Sequence, residues 1–190
     1  MRYFIFFLLF WYQPVSAQHP IKIDRREAKQ AFEYLNNFRM NSKKYSRSLG
    51  ISPIRNVTQT KLVWNKQLAK VAEARAYDLA KRNYFDHVDP RGYGPNYYIN
   101  QGGYTLNSTW LKKRSANNFE SIAANHDSAI DGIKAFIIGK SSPGLMHRKH
   151  VLGLDKWNGS LRDIGIGFVR VPRGSTYTTY LCVIIAKHDW

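Results

Sequence analysis

The chain has 190 residues, 44% hydrophobic and 14% aromatic, which fits one globular domain and excludes an intrinsically disordered chain. Lys and Arg number 29 against 13 Asp and Glu, a formal net charge of +16, a balance that fits nucleic acid, an anionic membrane or an acidic cell-wall polymer as partner and equally a well-solvated surface. A single cysteine, Cys182, excludes an internal disulfide framework and a cysteine-based zinc ribbon.

Residues 1–17, MRYFIFFLLFWYQPVSA, have the form of a signal peptide. Arg2 precedes an apolar run too short for a membrane-spanning helix, and Val15-Ser16-Ala17 supplies a cleavage pattern after Ala17. The expected mature chain is residues 18–190, secreted or periplasmic, monomeric and without a transmembrane segment. Export makes nucleic acid an unfavoured partner.

Residues 24–40 carry Ala28, Ala31, Phe32, Leu35 and Phe38 at helical spacing, after an Asp24/Glu27 pair that resembles a capping box. Residues 41–60 are polar and basic and read as a long surface connection. After a short extended entry at 61–64, Asn65 is the expected N-cap of a helix over 66–82, with Leu68, Val71, Ala72, Leu79 and Ala80 on one face. Residues 84–104 form a loop rich in Gly, Asp, Asn and Tyr. A short strand is expected at 119–123 and a helix from Asp127 or Ser128 to about Ile138. A further short helix should follow the 141–144 break, near 145–152. Strands are expected at 164–171 and 177–186 around a hairpin loop at 172–176, the second buried on both faces. Early helices and late strands imply an α+β or layered α/β/α arrangement.

The candidate chemistry lies in few residues. His87 sits in the Gly/Asp loop between Asp86 and Asp89, and His147 and His150 are three apart on the short late helix. Glu120 is the only acid between Asp89 and Asp127 and lies beside an apolar strand, so it is either satisfied by a buried partner or functional. Two separated histidines and one glutamate could form an open zinc site, although no HExxH helix is present. There is no GxSxG elbow and no phosphate-binding glycine loop, and Cys182 inside an apolar strand reads as an inert core thiol.

Six blocks in order resemble the CAP superfamily (cysteine-rich secretory proteins, antigen 5, pathogenesis-related 1), in particular its cysteine-poor bacterial SCP-like branch. They are AFEYLNNFRM, LVWNKQLAKVAEARAYDLAKRNYFDH, DPRGYGPNYYINQGGY, FESIA at 119–123, PGLMHRKHVL at 143–152 and DIGIGFV at 163–169. The resemblance implies an α+β fold, a three-layer α/β/α sandwich with a central, mostly antiparallel sheet and an open cleft. It places His87, Glu120 and His147 in that cleft, with His87 and His147 as candidate ligands of Zn²⁺ or another divalent cation. It implies a non-enzymatic binding module for a small ligand, lipid or envelope polymer. A metal-assisted hydrolase with Glu120 as base is one alternative, and a basic adhesin for anionic envelope polymers or lipid headgroups is the other. Three departures stand out. The family's second acid is missing from 135–139, two extra residues separate Pro143-Gly144 from His147, and Phe119 and Ser121 replace the Gly and Asn that usually flank the glutamate.

Overall fold

The computed structural model describes residues 20–140, 142–172 and 175–188. The proposed signal peptide at 1–17 and residues 173–174 of the hairpin loop lie outside them. The strands are β1 (Lys22–Ile23), β2 (Val63–Trp64), β3 (Glu120–Ala124), β4 (Asp163–Arg170) and β5 (Thr179–Ala186). The helices are α1 (Arg25–Met40), α2 (Ser42–Ser48), α3 (Lys66–Lys81), α4 (Pro95–Gln101), α5 (Ala129–Ile138) and α6 (Met146–Leu152). The sheet runs β1-β4-β5-β3 in antiparallel pairs, with β2 joined parallel to β4. The fold is therefore the α+β sandwich expected, with a mostly antiparallel sheet.

The alternation of side chains along the paired strands decides what faces each helical layer. Gly165 lies opposite Ile184 and Gly167 opposite Cys182, so these four share a face. A Cβ at Gly165 would come 2.1 Å from the Leu68 carbonyl carbon, and one at Gly167 would come 2.3 Å from the Ala72 carbonyl oxygen. The glycines let α3 lie with its backbone almost on the sheet, which fixes where its side chains emerge. The other face carries Ile166, Phe168, Leu181 and Val183 and receives α1 and α5, with α6 packed on α5. Every residue of β5 is buried, as its continuous apolar run predicts.

Caps set the helix starts. The Asn65 side chain accepts from the Gln67 and Leu68 N–H groups, and Ser128 from that of Asp131. Asp24 likewise accepts from Glu27 N–H, but Glu27 does not close the expected box. Its carboxylate accepts instead from Ala129 N–H at 2.9 Å and from Arg170, tying α1 to α5 and β4.

The 41–60 connection departs from expectation, because Ser42–Ser48 is helical. Tyr45 packs edge-on against Tyr34 and tilted against Phe38, so tertiary contact stabilises a turn of weak local preference. Downstream, buried Asn36 bonds both the N–H and C=O of Leu62, and buried Arg39 donates to the carbonyls of Thr60 and Val151. Burial pulls the Arg39 pKa down to about 10.

Gly167→Ala forces its new methyl into the α3 backbone, and overpacking of this kind typically costs about 1–3 kcal/mol. Denaturant unfolding should show a lower midpoint with an unchanged slope; an unaltered midpoint would refute the close approach.

Candidate functional site

The site is assembled around β3, an edge strand of the sheet. Glu120 pairs with Ile184 of β5 and points to the α3 side, while the next residue, Ser121, faces the opposite layer. The Glu120 side chain has no exposed surface. An isolated carboxylate there would be protonated, so its partners decide its state.

The principal partner is Arg75 on α3. Its Nε donates to Glu120 Oε2 at 3.0 Å, and a terminal nitrogen reaches Oε1 at 3.4 Å. The other Arg75 donors go to the Tyr84 hydroxyl at 2.9 Å and the His87 carbonyl oxygen at 3.0 Å. The Cys182 thiol lies 3.3 Å from Glu120 Oε2, and burial pushes its pKa well up, so it acts as a neutral donor. Burial raises the Glu120 pKa, but the His87 hydrogen bond and the Arg75 charge outweigh it and hold the carboxyl below its ordinary value. Glu120 is therefore ionised at neutral pH.

The loop after α3 delivers His87. Asp89 organises it, accepting from the backbone N–H groups of Arg91 and Tyr93, from Arg82 and Arg91 side chains, and from the Tyr98 hydroxyl at 2.7 Å. Burial works against ionisation of Asp89, but these donors prevail and hold its pKa far below normal. His87 Nδ1 lies 3.0 Å from Glu120 Oε1. Because the carboxylate is an acceptor only, Nδ1 carries the proton and Nε2 keeps its lone pair. The ring is about one-third exposed (34%).

His147 comes from α6, in the opposite layer. Its ring is tilted against Phe136 at 4.7 Å, and its backbone N–H donates to Ser142 Oγ. Burial, then the charge that His87 carries when protonated, lowers its pKa. The two imidazoles are thus within electrostatic reach, whereas no hydrogen bond joins His147 to Glu120 among the described residues. The structure brings His87 and Glu120 into hydrogen-bond contact, while His147 is linked to them only through its electrostatic interaction with His87.

Two features lie outside the sequence-based expectations. Arg75 occupies the apolar stripe of α3, three residues after Ala72 and four before Leu79, and that placement was the available signal. The second is a buried pair: Ser121 Oγ lies 2.8 Å from His150 Nδ1, while the buried His150 Nε2 makes no hydrogen bond of ordinary geometry. Burial drives the His150 pKa down to about 4.

The donor set does not fit a three-residue metal centre. Both Glu120 oxygens are engaged by Arg75, and no group of three or more His, Cys, Asp or Glu among the described residues is placed to hold an ion. His87 and His147 remain as two imidazoles.

A helix-flanked, mostly antiparallel sheet makes the chain an α+β sandwich. The model of the cysteine-rich secretory protein family, CAP, matches residues 32–184, and the chain belongs to that family. Among solved structures it is similar to an extracellular protein containing an SCP domain from Bacillus anthracis str. Ames, with 22% identity and a TM-score of 0.55. The match covers 86% of this chain and 41% of that one, so the chain spans less than half of that protein. It is also similar to an outer surface protein from Borrelia burgdorferi, with 15% identity and a TM-score of 0.50 over 85% of this chain and 96% of the other. At these identities the likeness shows the fold alone. No curated protein matches the chain.

Removing one member of the buried ion pair strands the other, typically at about 3–5 kcal/mol. Arg75→Met and Glu120→Leu should each be strongly destabilised in denaturant unfolding, and the double variant should recover most of the loss. Additive losses would contradict the direct pairing.

The His150 pH dependence has a definite sign. Its folded pKa of about 4 lies below the ordinary value of 6.5, so the unfolded chain takes up the proton first as pH falls. Stability is complete above pH 6.5 and declines between 6.5 and 4, by about 3 kcal/mol for this ring. His147, shifted the same way, adds to the decline. A His150→Leu/Ser121→Ala variant should have a distinctly flatter stability profile in that window; an unchanged slope would contradict the assignment.

Proposed function

We propose that this protein is an exported, non-enzymatic binding module whose cleft presents His87 and His147 to a ligand. The observation that carries this reading is the state of Glu120. A general base must reach the reacting proton and have a pKa near the working pH. Glu120 is buried, held ionised below its ordinary pKa, and bonded to Arg75 and His87. It orients His87 and is poorly suited to act as base, which weighs against the metal-assisted hydrolase.

What the cleft offers is imidazole. Glu120 fixes the His87 tautomer with Nε2 as the free acceptor, and the lowered pKa of His147 favours its neutral form. Such a pair can accept hydrogen bonds from a small ligand, lipid or envelope polymer. It can also bind Zn²⁺ or another divalent cation as two ligands of an otherwise water-filled sphere. The net charge of +16 draws anionic ligands toward the surface whichever of these is bound. Export is part of the proposal and rests on the leader-like residues 1–17.

Calorimetric titration of Zn²⁺ into the wild type and a His87→Ala/His147→Ala variant tests the metal component. The wild type should bind more tightly, with proton release on binding that grows as pH falls. Equal affinity in the two proteins would remove the metal from the account.

A further inference from the structure

Arg75 also forms part of a hollow between α3 and α4 whose lining includes none of His87, Glu120 and His147. Its volume is about 470 Å³, within the range of ordinary small-molecule sites. Val71, Ala74, Tyr98 and Gly102 supply its apolar wall. A Cβ at Gly102 would lie 2.2 Å from Val71 Cγ2, so a side chain at residue 102 would force the Val71 side chain or the end of α4 to shift.

The charges around this hollow are almost all matched. Arg75 is paired with Glu120, Arg91 with Asp89, and Asp78 with Arg82. The Tyr98 hydroxyl is also committed, donating to Asp89. Lys70, exposed at the mouth, makes no ion pair among the described residues. An apolar wall beside one uncompensated cation selects a ligand with a single negative group and an apolar body. A multiply charged molecule would find only one cation to answer it. A neutral one would leave Lys70 unused.

We propose that the hollow between α3 and α4 binds a compact amphipathic monoanion, its negative group at Lys70 and its apolar body against Ala74, Tyr98 and Gly102. The site does not depend on the His87 cleft reading.

Titration of 2-naphthoate into the ¹⁵N-labelled full chain tests the proposal. Saturable one-to-one binding is expected, with the largest amide shifts at residues 70–78 and 98–103. The neutral analogue 2-naphthalenemethanol should bind about three- to fivefold more weakly, the scale of one exposed charge pair. Lys70→Gln should weaken naphthoate by the same factor and leave the neutral analogue unchanged. Ala74 is exposed, so Ala74→Trp can fill the hollow without disturbing the core, and it should abolish binding of both. His87→Ala/His147→Ala should bind naphthoate as the wild type does, which separates this site from the cleft. Shifts centred elsewhere, no saturation, full binding by Ala74→Trp, or equal affinity for the charged and neutral compounds would overturn the proposal.

Discussion

Glu120 keeps a negative charge where water does not reach, and Arg75 is the reason it can. The Coulomb attraction of a buried pair barely offsets the loss of hydration unless the remaining donors and acceptors are also satisfied. Here they are: Arg75 also holds Tyr84 and the His87 carbonyl, and Glu120 also takes the His87 ring and the Cys182 thiol. One guanidinium thereby fixes a helix, a loop and an edge strand relative to one another. The position of Arg75 depends on α3 lying close to β4, which Gly165 and Gly167 permit. The chain of causes runs from two missing side chains to one oriented imidazole.

The same arrangement separates holding from reacting. A carboxylate bonded to an arginine and kept ionised is a good anchor for a histidine and a poor proton shuttle. Asp89 does for the loop what Glu120 does for the ring, gathering backbone N–H groups, two arginines and a tyrosine hydroxyl so that the segment after α3 takes one shape. Such preorganisation is what the proposed binding role draws on, since it leaves little ordering for a ligand to impose.

Much of the architecture was legible in local signals. Asn65 caps the helix it was expected to cap, Ser128 proves to be the cap where Asp127 or Ser128 was expected, and the continuous apolar run of β5 marks a strand covered on both faces. Other parts were set by distant contacts that spacing does not encode. Ser42–Ser48 is helical because Tyr45 meets Tyr34 and Phe38. By residue type an arginine reads as surface even in an apolar stripe, although the spacing of Arg75 places it inside. Pairing Ser121 with His150 required the β3 register, which sends adjacent residues to opposite layers. The missing second acid was plain in the sequence, whereas the arginine that occupies both oxygens of the remaining one emerged only with the fold.

The account turns on an ionised Glu120 accepting the proton-bearing nitrogen of His87. Long-range ¹H–¹⁵N correlation spectra of the imidazoles, recorded where the His87 ring is neutral, read this directly. The account predicts a protonated Nδ1 and a bare Nε2 at His87. The reverse tautomer, with the proton on Nε2, would mean that the carboxylate does not hold the ring.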